Sequence, residues 1–466
     1  MLKPLYLSKL NIMKNLLLLL IIPFLSFSQF VEDFYSFSEP IIVTANPELG
    51  LNRPRIVVDE NGFPIVLWTS IDDDKIYLSK YNGSEFGEPI LIVPSNFSFY
   101  GNQYYGPEID NNGNLIVIVL HNTVAEINNV YIIYSYDGGV SFSEPIKIAE
   151  EETLIEGAGI HVTSNNIPIV TYENLPFSGE ADQLVGFGQF IDSPPGILFE
   201  NFTIADVLTE GTPCECCLGH LTSNDENLVF TYRNNINNIR NMFACTYNNI
   251  TQGFNEGFSI DSYNQSLSVC PTEGPKSLLI DDYLITTFKS YAYSPARIGA
   301  ALYDLSNDVI LDELVVDWGQ GYGVQSFPEI AGNDSVFAVV WKEFRYYNYD
   351  VFISLVPSPL NNTGVNFGSS ISISSSEPNS QTANDFTSVD IAAYNNEFHI
   401  IYLDYTSNML YYRNYTPNNT SNLIESSKDK SILKKVDILG RSTNNNQGFQ
   451  LHIYNDGSVD KKYLIK

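Results

Sequence analysis

The segment "GTPCECCLGHL", residues 211–221, holds three of the chain's five cysteines: Cys214, Cys216 and Cys217. A fourth, Cys270, lies in "SVCPTEGP". Thiols this dense have three uses. In an oxidising compartment they form disulfides, and one bridge from the trio to Cys270 would tie two distant segments together. Clustered thiolates also suit Cu(I) or Zn, with His220 placed to join them, although the spacing is not the paired C-x-x-C of a zinc ribbon. A redox dithiol is the third use, but adjacent Cys216 and Cys217 can form only a strained bond. An odd total leaves at least one thiol unpaired or shared, and Cys245 in "NMFACTYNN" reads as a buried free thiol. A second set of residues could handle an acidic sugar. Arg53, Arg55, Arg233, Arg240, Lys289, Lys342 and Arg345 supply cations, and Glu173 and Asp404 supply carboxyls for proton transfer. "IDDDK", Ile71 to Lys75, could bind Ca²⁺ or serve as a solvated acidic loop.

The context of the whole chain favours export. "MKNLLLLLIIPFLSFSQF" from Met13 has a Lys, an apolar run and then small residues, the pattern of a secretory signal peptide spanning residues 1–28. The apolar run is shorter than the roughly 20 residues a spanning helix needs, so no transmembrane anchor is expected. The formal net charge is −30, which repels nucleic acid and anionic lipid and discounts both as partners. The expected location is secreted or on the cell surface.

Internal repetition determines which elements hold the candidate residues. "FSEPIIV" from Phe37, "FGEPILI" from Phe86 and "FSEPIKI" from Phe142 nearly coincide. A longer pattern of apolar strand, tight turn and second apolar strand recurs every fifty to sixty residues or so, as in "RIVVDENGFPIVLWTS", "EIDNNGNLIVIVLHN" and "EIAGNDSVFAVVWKE". No long segment has helical periodicity. Repeated four-stranded units without helices predict an all-β fold, a β-propeller of seven blades, with six possible. The first "F-x-E-P-I" strand, Phe37 to Val43, has no unit of its own and is expected to complete the last blade, which removes two exposed sheet edges. In this geometry inner strands begin, and second strands end, on one face. That face then carries Arg53, Arg55, Glu108, His161 and Glu329, together with Glu173, Arg233, Lys289, Lys342 and Asp404. It also places the cysteine trio, at the start of the fourth unit, beside Cys270 at the start of the fifth.

"SYDGGVSF" contains Ser135, Asp137, Gly139, Ser141 and Phe142 in the pattern S-x-D-x-G-x-[ST]-[WF]. This resembles the Asp-box (BNR repeat) of the sialidase-like propellers, over roughly residues 35–415. The motif is a hairpin device and carries no catalytic information. The resemblance implies recognition of carbohydrate or another cell-surface ligand, with exo-hydrolysis of terminal acidic sugars as the alternative and copper or zinc binding at the cysteine cluster as a second. Sialidases clamp a carboxylate with three arginines, for which Arg55, Arg233 and Arg345 stand best by position. "C-x-C-C", then "YR", "N-I-R" and "C-P-x-x-G-P", also resembles motifs of uncharacterised sialidase-like propellers. "LKKVDILGR" (Leu433 to Arg441) and "IYNDGSVDKKYLIK" (Ile453 to Lys466) resemble the type A C-terminal sorting domain of the type IX secretion system, which implies that secretion machinery as a partner. The implied organisation is a signal peptide over 1–28, a propeller over 29–415, a linker over 416–431 and a sorting signal over 432–466.

Overall fold

The computed structural model describes residues 35–49, 53–70, 75–94, 106–124, 127–151, 154–175, 181–192, 195–207, 210–215, 217–268, 271–318, 323–345, 348–357, 364–374, 389–404, 407–417, 432–437, 448–454 and 459–464. Cys216, Cys270, Asp72 to Asp74 and the proposed signal peptide lie outside these residues.

Seven antiparallel sheets of at least four strands each make a seven-bladed β-propeller, so the count is seven and not six. The inner strands, in blade order, are Arg55–Val58, Glu108–Asn112, Leu154–Val162, His220–Ser223, Lys276–Ile280, Gln325–Gly332 and Asp390–Tyr394. Second strands such as Leu115–Val124 and Val336–Arg345 are nearly continuous apolar runs, because both faces of each blade are covered by neighbours. Each seam between blades holds its own core. Val57, Leu67 and Ile76 of blade one, for example, pack against Ile109 and Ile118 of blade two.

Inner hairpins turn through left-handed residues: Gly62 (φ 83°), Gly113 (φ 55°), Asn166 (φ 62°) and Asn395 (φ 54°). Side chains on one inner strand also capture backbone N–H groups of the next. Ile56 N donates to Asp390 (2.9 Å), Val162 N to Asp110 (2.8 Å), and Ser277 N to His220 Nδ1 (3.2 Å). The ring is thus laced around its axis by groups that would otherwise be orphaned.

Blade seven closes the ring. Tyr35–Phe37 and Ile41–Ala45 both pair with Met409–Pro417 from the far end of the propeller. Arg413 Nε donates to Ser38 O at 2.9 Å, and its guanidinium lies over the Phe37 ring. Val43 joins a core shared by Trp68 of blade one and Leu403, Leu410 and Tyr412 of blade seven. The chain divides into two compact units, residues 1–416 and 417–466. In the second, Ile432–Asp437, Gly448–Tyr454 and Val459–Leu464 form a three-stranded antiparallel sheet. Among the described residues no helix is long and apolar enough to cross a membrane.

Candidate functional site

The inner strands enclose an axial cavity of about 420 Å³. Arg55, Glu108, Lys276 and Asp390 of its charged lining stand first in their strands, while Asp110, His161 and Glu329 stand farther along theirs. Four lining charges follow a proline: Pro54-Arg55, Pro107-Glu108 and Pro275-Lys276 at the start of an inner strand, and Pro328-Glu329 at a register shift inside Gln325–Gly332. A proline at the first position of a strand fixes the chain direction and gives up only a donor that the ladder does not need. The next residue then points to the axis.

These charges interlock. Arg55 grips Glu108 with two bonds (2.5 and 2.6 Å) and reaches Glu329 at 3.3 Å. Glu329 also accepts from Arg53 (3.2 Å) and pairs with Lys276 (3.2 Å). Burial pushes the Glu108 carboxyl up, but Arg55 and Lys276 outweigh it and hold it at about 2. Asp390 behaves differently. Burial pushes it up, Arg55 pulls it back only partly, and it settles at about 6. Farther along the cavity, His161 pairs through Nδ1 with Asp110 (3.3 Å) and bonds Ser223 through Nε2 (2.7 Å). Burial, with Lys276 and His161 nearby, lowers His220 well below its ordinary value.

The face where inner strands begin, the upper face, extends outward from this ring. Lys289 pairs with Glu273 (2.7 Å) and stands 5.3 Å from the centre of the Tyr291 ring. The other oxygen of Glu273 takes the Phe327 N–H (2.7 Å). Arg53 and Lys342 both lie over the Phe327 ring, at 5.3 and 4.9 Å. Beyond Lys289, Tyr293 meets Trp318 edge to face at 5.1 Å. Trp318 is 62 % exposed and Tyr291 37 %, so this arc presents aromatic faces to solvent beside fixed charges.

The three arginines expected to clamp a carboxylate do not converge. Arg55 is on the axis. Arg233 is fully buried, and its donors go to the carbonyls of Arg240, Glu273 and Lys289. It braces loops, because a buried guanidinium must place its five donors on nearby acceptors. Arg345 bonds Asp317 and Glu343 and covers the Phe352 ring. Glu173 is buried within blade three, opposite Gln183 in the ladder. Asp404, at the end of a second strand, accepts from Ser407 N at 3.3 Å.

Arg240 turns to the cysteines. Its Nη1 lies 2.6 Å from Cys214 Sγ, and Cys214 Sγ lies 3.3 Å from Cys217 Sγ, with both sulfurs buried. A Cβ on Gly274 would come within 1.8 Å of Leu218 O, so the start of blade five abuts the cysteine segment and only glycine fits there. His220 lines the axial cavity. Among the described residues no group of three or more His, Cys, Asp or Glu is placed to hold a metal ion. Cys245 is a buried free thiol pushed up to about 12 by burial. On the opposite face Asp137 accepts from Val140 N, Ser141 N and Ser141 Oγ (3.0, 2.9 and 2.6 Å), and Phe142 packs against the core of blades one and two.

Sequence reasoning passed over Lys276, Asp390, Phe327 and the Tyr291–Tyr293–Trp318 arc as site residues. The recurrent proline would have found Lys276. The aromatic arc has no such marker, since its members come from two loops.

The geometry defines a class, a seven-bladed propeller with a charged axial cavity. No protein family matches the chain by sequence, and no curated relative matches it. Solved structures share the fold. The polysaccharide lyase Uly1 is 9% identical with a TM-score of 0.50, covering 79% of this chain and 90% of that one. A PL25 ulvan lyase bound to -[GlcA(1-4)Rha3S]- is 9% identical with a TM-score of 0.50, covering 79% and 95%. The NanB sialidase of Streptococcus pneumoniae, as a K499G mutant, is 11% identical with a TM-score of 0.41, covering 83% and 71%.

Proposed function

We propose that the protein is an exported propeller that recognises carbohydrate on its upper face. The exposed Trp318–Tyr293–Tyr291 arc beside Lys289 carries this reading. Aromatic faces take the C–H face of a sugar ring, and fixed polar groups set its orientation. The fold shared with polysaccharide lyases, one of them holding a uronic-acid glycan, supports the ligand class. Sialidase-type hydrolysis has less support. Among the described residues Arg55, Arg233 and Arg345 share no partner and no tyrosine lines the axial cavity. The feature favouring chemistry is Asp390, a carboxyl held near 6 between Arg55 and Glu329.

Titration with acidic and neutral oligosaccharides, alongside turnover assays on sialyl-lactose and fluorogenic glycosides, tests the reading. The expected result is saturable binding of at least one glycan without turnover, weakened at least tenfold by Trp318→Ala. Turnover, or the binding of every glycan left unchanged by Trp318→Ala, would overturn it.

Two proposals concern the rest of the chain. The signal peptide-like start and the tail resembling a type IX sorting signal support export to the cell surface through that machinery. At the cysteine segment we propose a disulfide framework reaching Cys270, supported by the abutting starts of blades four and five. Native mass spectrometry distinguishes it from a Cu or Zn thiolate site.

A further inference from the structure

The face opposite the charged mouth carries a different cleft. It lies between blades two and three, is lined by Asn112, Asn114, Tyr136, Asn166 and Phe190 among others, and has a volume of about 510 Å³. That is within the range of about 300–1,000 Å³ typical of small-ligand sites. Tyr136 and Phe190 are each 47 % exposed, with ring centres 5.9 Å apart at 50°. Tyr136 rests on buried Tyr134 at 4.9 Å, so its outer face is held in place. Among the described residues no Asp, Glu, Lys or Arg lines the cleft. On a chain of net charge −30 that neutrality is a selective feature.

The amides are pre-set. Asn112 Nδ2 donates to Ser164 O (2.9 Å), Thr163 O (3.3 Å) and Asn166 Oδ1 (2.9 Å). These bonds pin the blade-two turn to the blade-three turn. They also leave Asn112 Oδ1 as an acceptor and Asn166 Nδ2 as a donor, neither taken by a protein group among the described residues. A sugar hydroxyl both donates and accepts, so it satisfies this pair, while a carboxylate or an ammonium satisfies half of it.

We infer that this cleft is a second glycan site, selective for uncharged pyranose units that stack on the exposed faces of Tyr136 and Phe190 and bond the Asn112 and Asn166 amides. It is independent of the upper face in residues and in charge preference. The test is titration of the full chain with neutral hexasaccharides (cello-, xylo-, manno- and laminari-series) in low and high salt, with polygalacturonate as the acidic control. The expected result is salt-insensitive binding of a neutral series, weakened at least tenfold by Tyr136→Ala and by Phe190→Ala, and unchanged by Trp318→Ala. Asn166→Asp keeps the backbone geometry and removes the donor, so it should also weaken binding. Retention of neutral binding in all three cleft variants, or no neutral binding by the wild type, overturns the inference. Failure of Trp318→Ala to affect any glycan bears on the upper-face reading alone.

Discussion

At the scale of single residues, Glu108 shows how the axial charges act. It is gripped by Arg55 and held at about 2, far below its unfolded value of about 4.3. A depressed carboxyl contributes stability that is fully present above the unfolded value and is lost as pH falls through the folded one. Glu108→Gln should therefore cost about 3 kcal/mol at neutral pH, because it breaks a buried pair. The gap from wild type should narrow below about pH 4 and close only below about pH 2, as read by denaturant unfolding across pH. The local pattern locates Arg55 and Glu108 at the first position of an inner strand and Arg53 just before one, but it places the starts of the third and sixth inner strands too late, so His161 and Glu329 stand inside theirs. It left Arg233, at the end of a second strand, open between a ligand contact and a loop brace, and the structure places its donors on carbonyls. Whether such an arginine meets solvent or carbonyls depends on loops from three other segments, and no local pattern encodes that.

Among elements, the two N-terminal strands have the largest consequence. Phe37 stacks on Tyr415 at 4.3 Å, Tyr35 packs tilted against it at 5.2 Å, and Ile41 and Ile42 pair with Tyr412 and Tyr411. A chain beginning after Ala45 loses that cover and leaves Met409–Pro417 as an open, aromatic edge strand. It should aggregate, eluting in the void volume on gel filtration while the full chain elutes as a discrete species. This closure was legible in the sequence, because one "F-x-E-P-I" copy stood without a unit. Blade number was legible for the same reason, through the repeated turn chemistry. The aromatic arc and the Tyr136–Phe190 cleft were not legible, because their members come from separate turns that only the blade stacking brings together.

For the whole molecule, two compact units imply separable stability. Ending the chain at Thr416 should leave the propeller's thermal midpoint within about 2 °C of the full chain, measured by calorimetry. A large drop would show that residues 417–466 belong to the same cooperative unit. The net charge of −30 also separates the two glycan readings. Acidic glycans approach against the field of the whole molecule and should bind more tightly as salt screens it, while neutral ones are indifferent.

The strand that closes blade seven also sets an order in time. Ile41 finds Tyr412 only after more than 370 further residues have been made, so the ring's last contact is among its least local. At a synthesis rate of about 5–20 residues per second, the first strands wait roughly twenty to seventy seconds for their partner. Blades one to six can build in sequence during that interval, each on its predecessor. Ring closure therefore cannot precede the synthesis of Met409–Pro417.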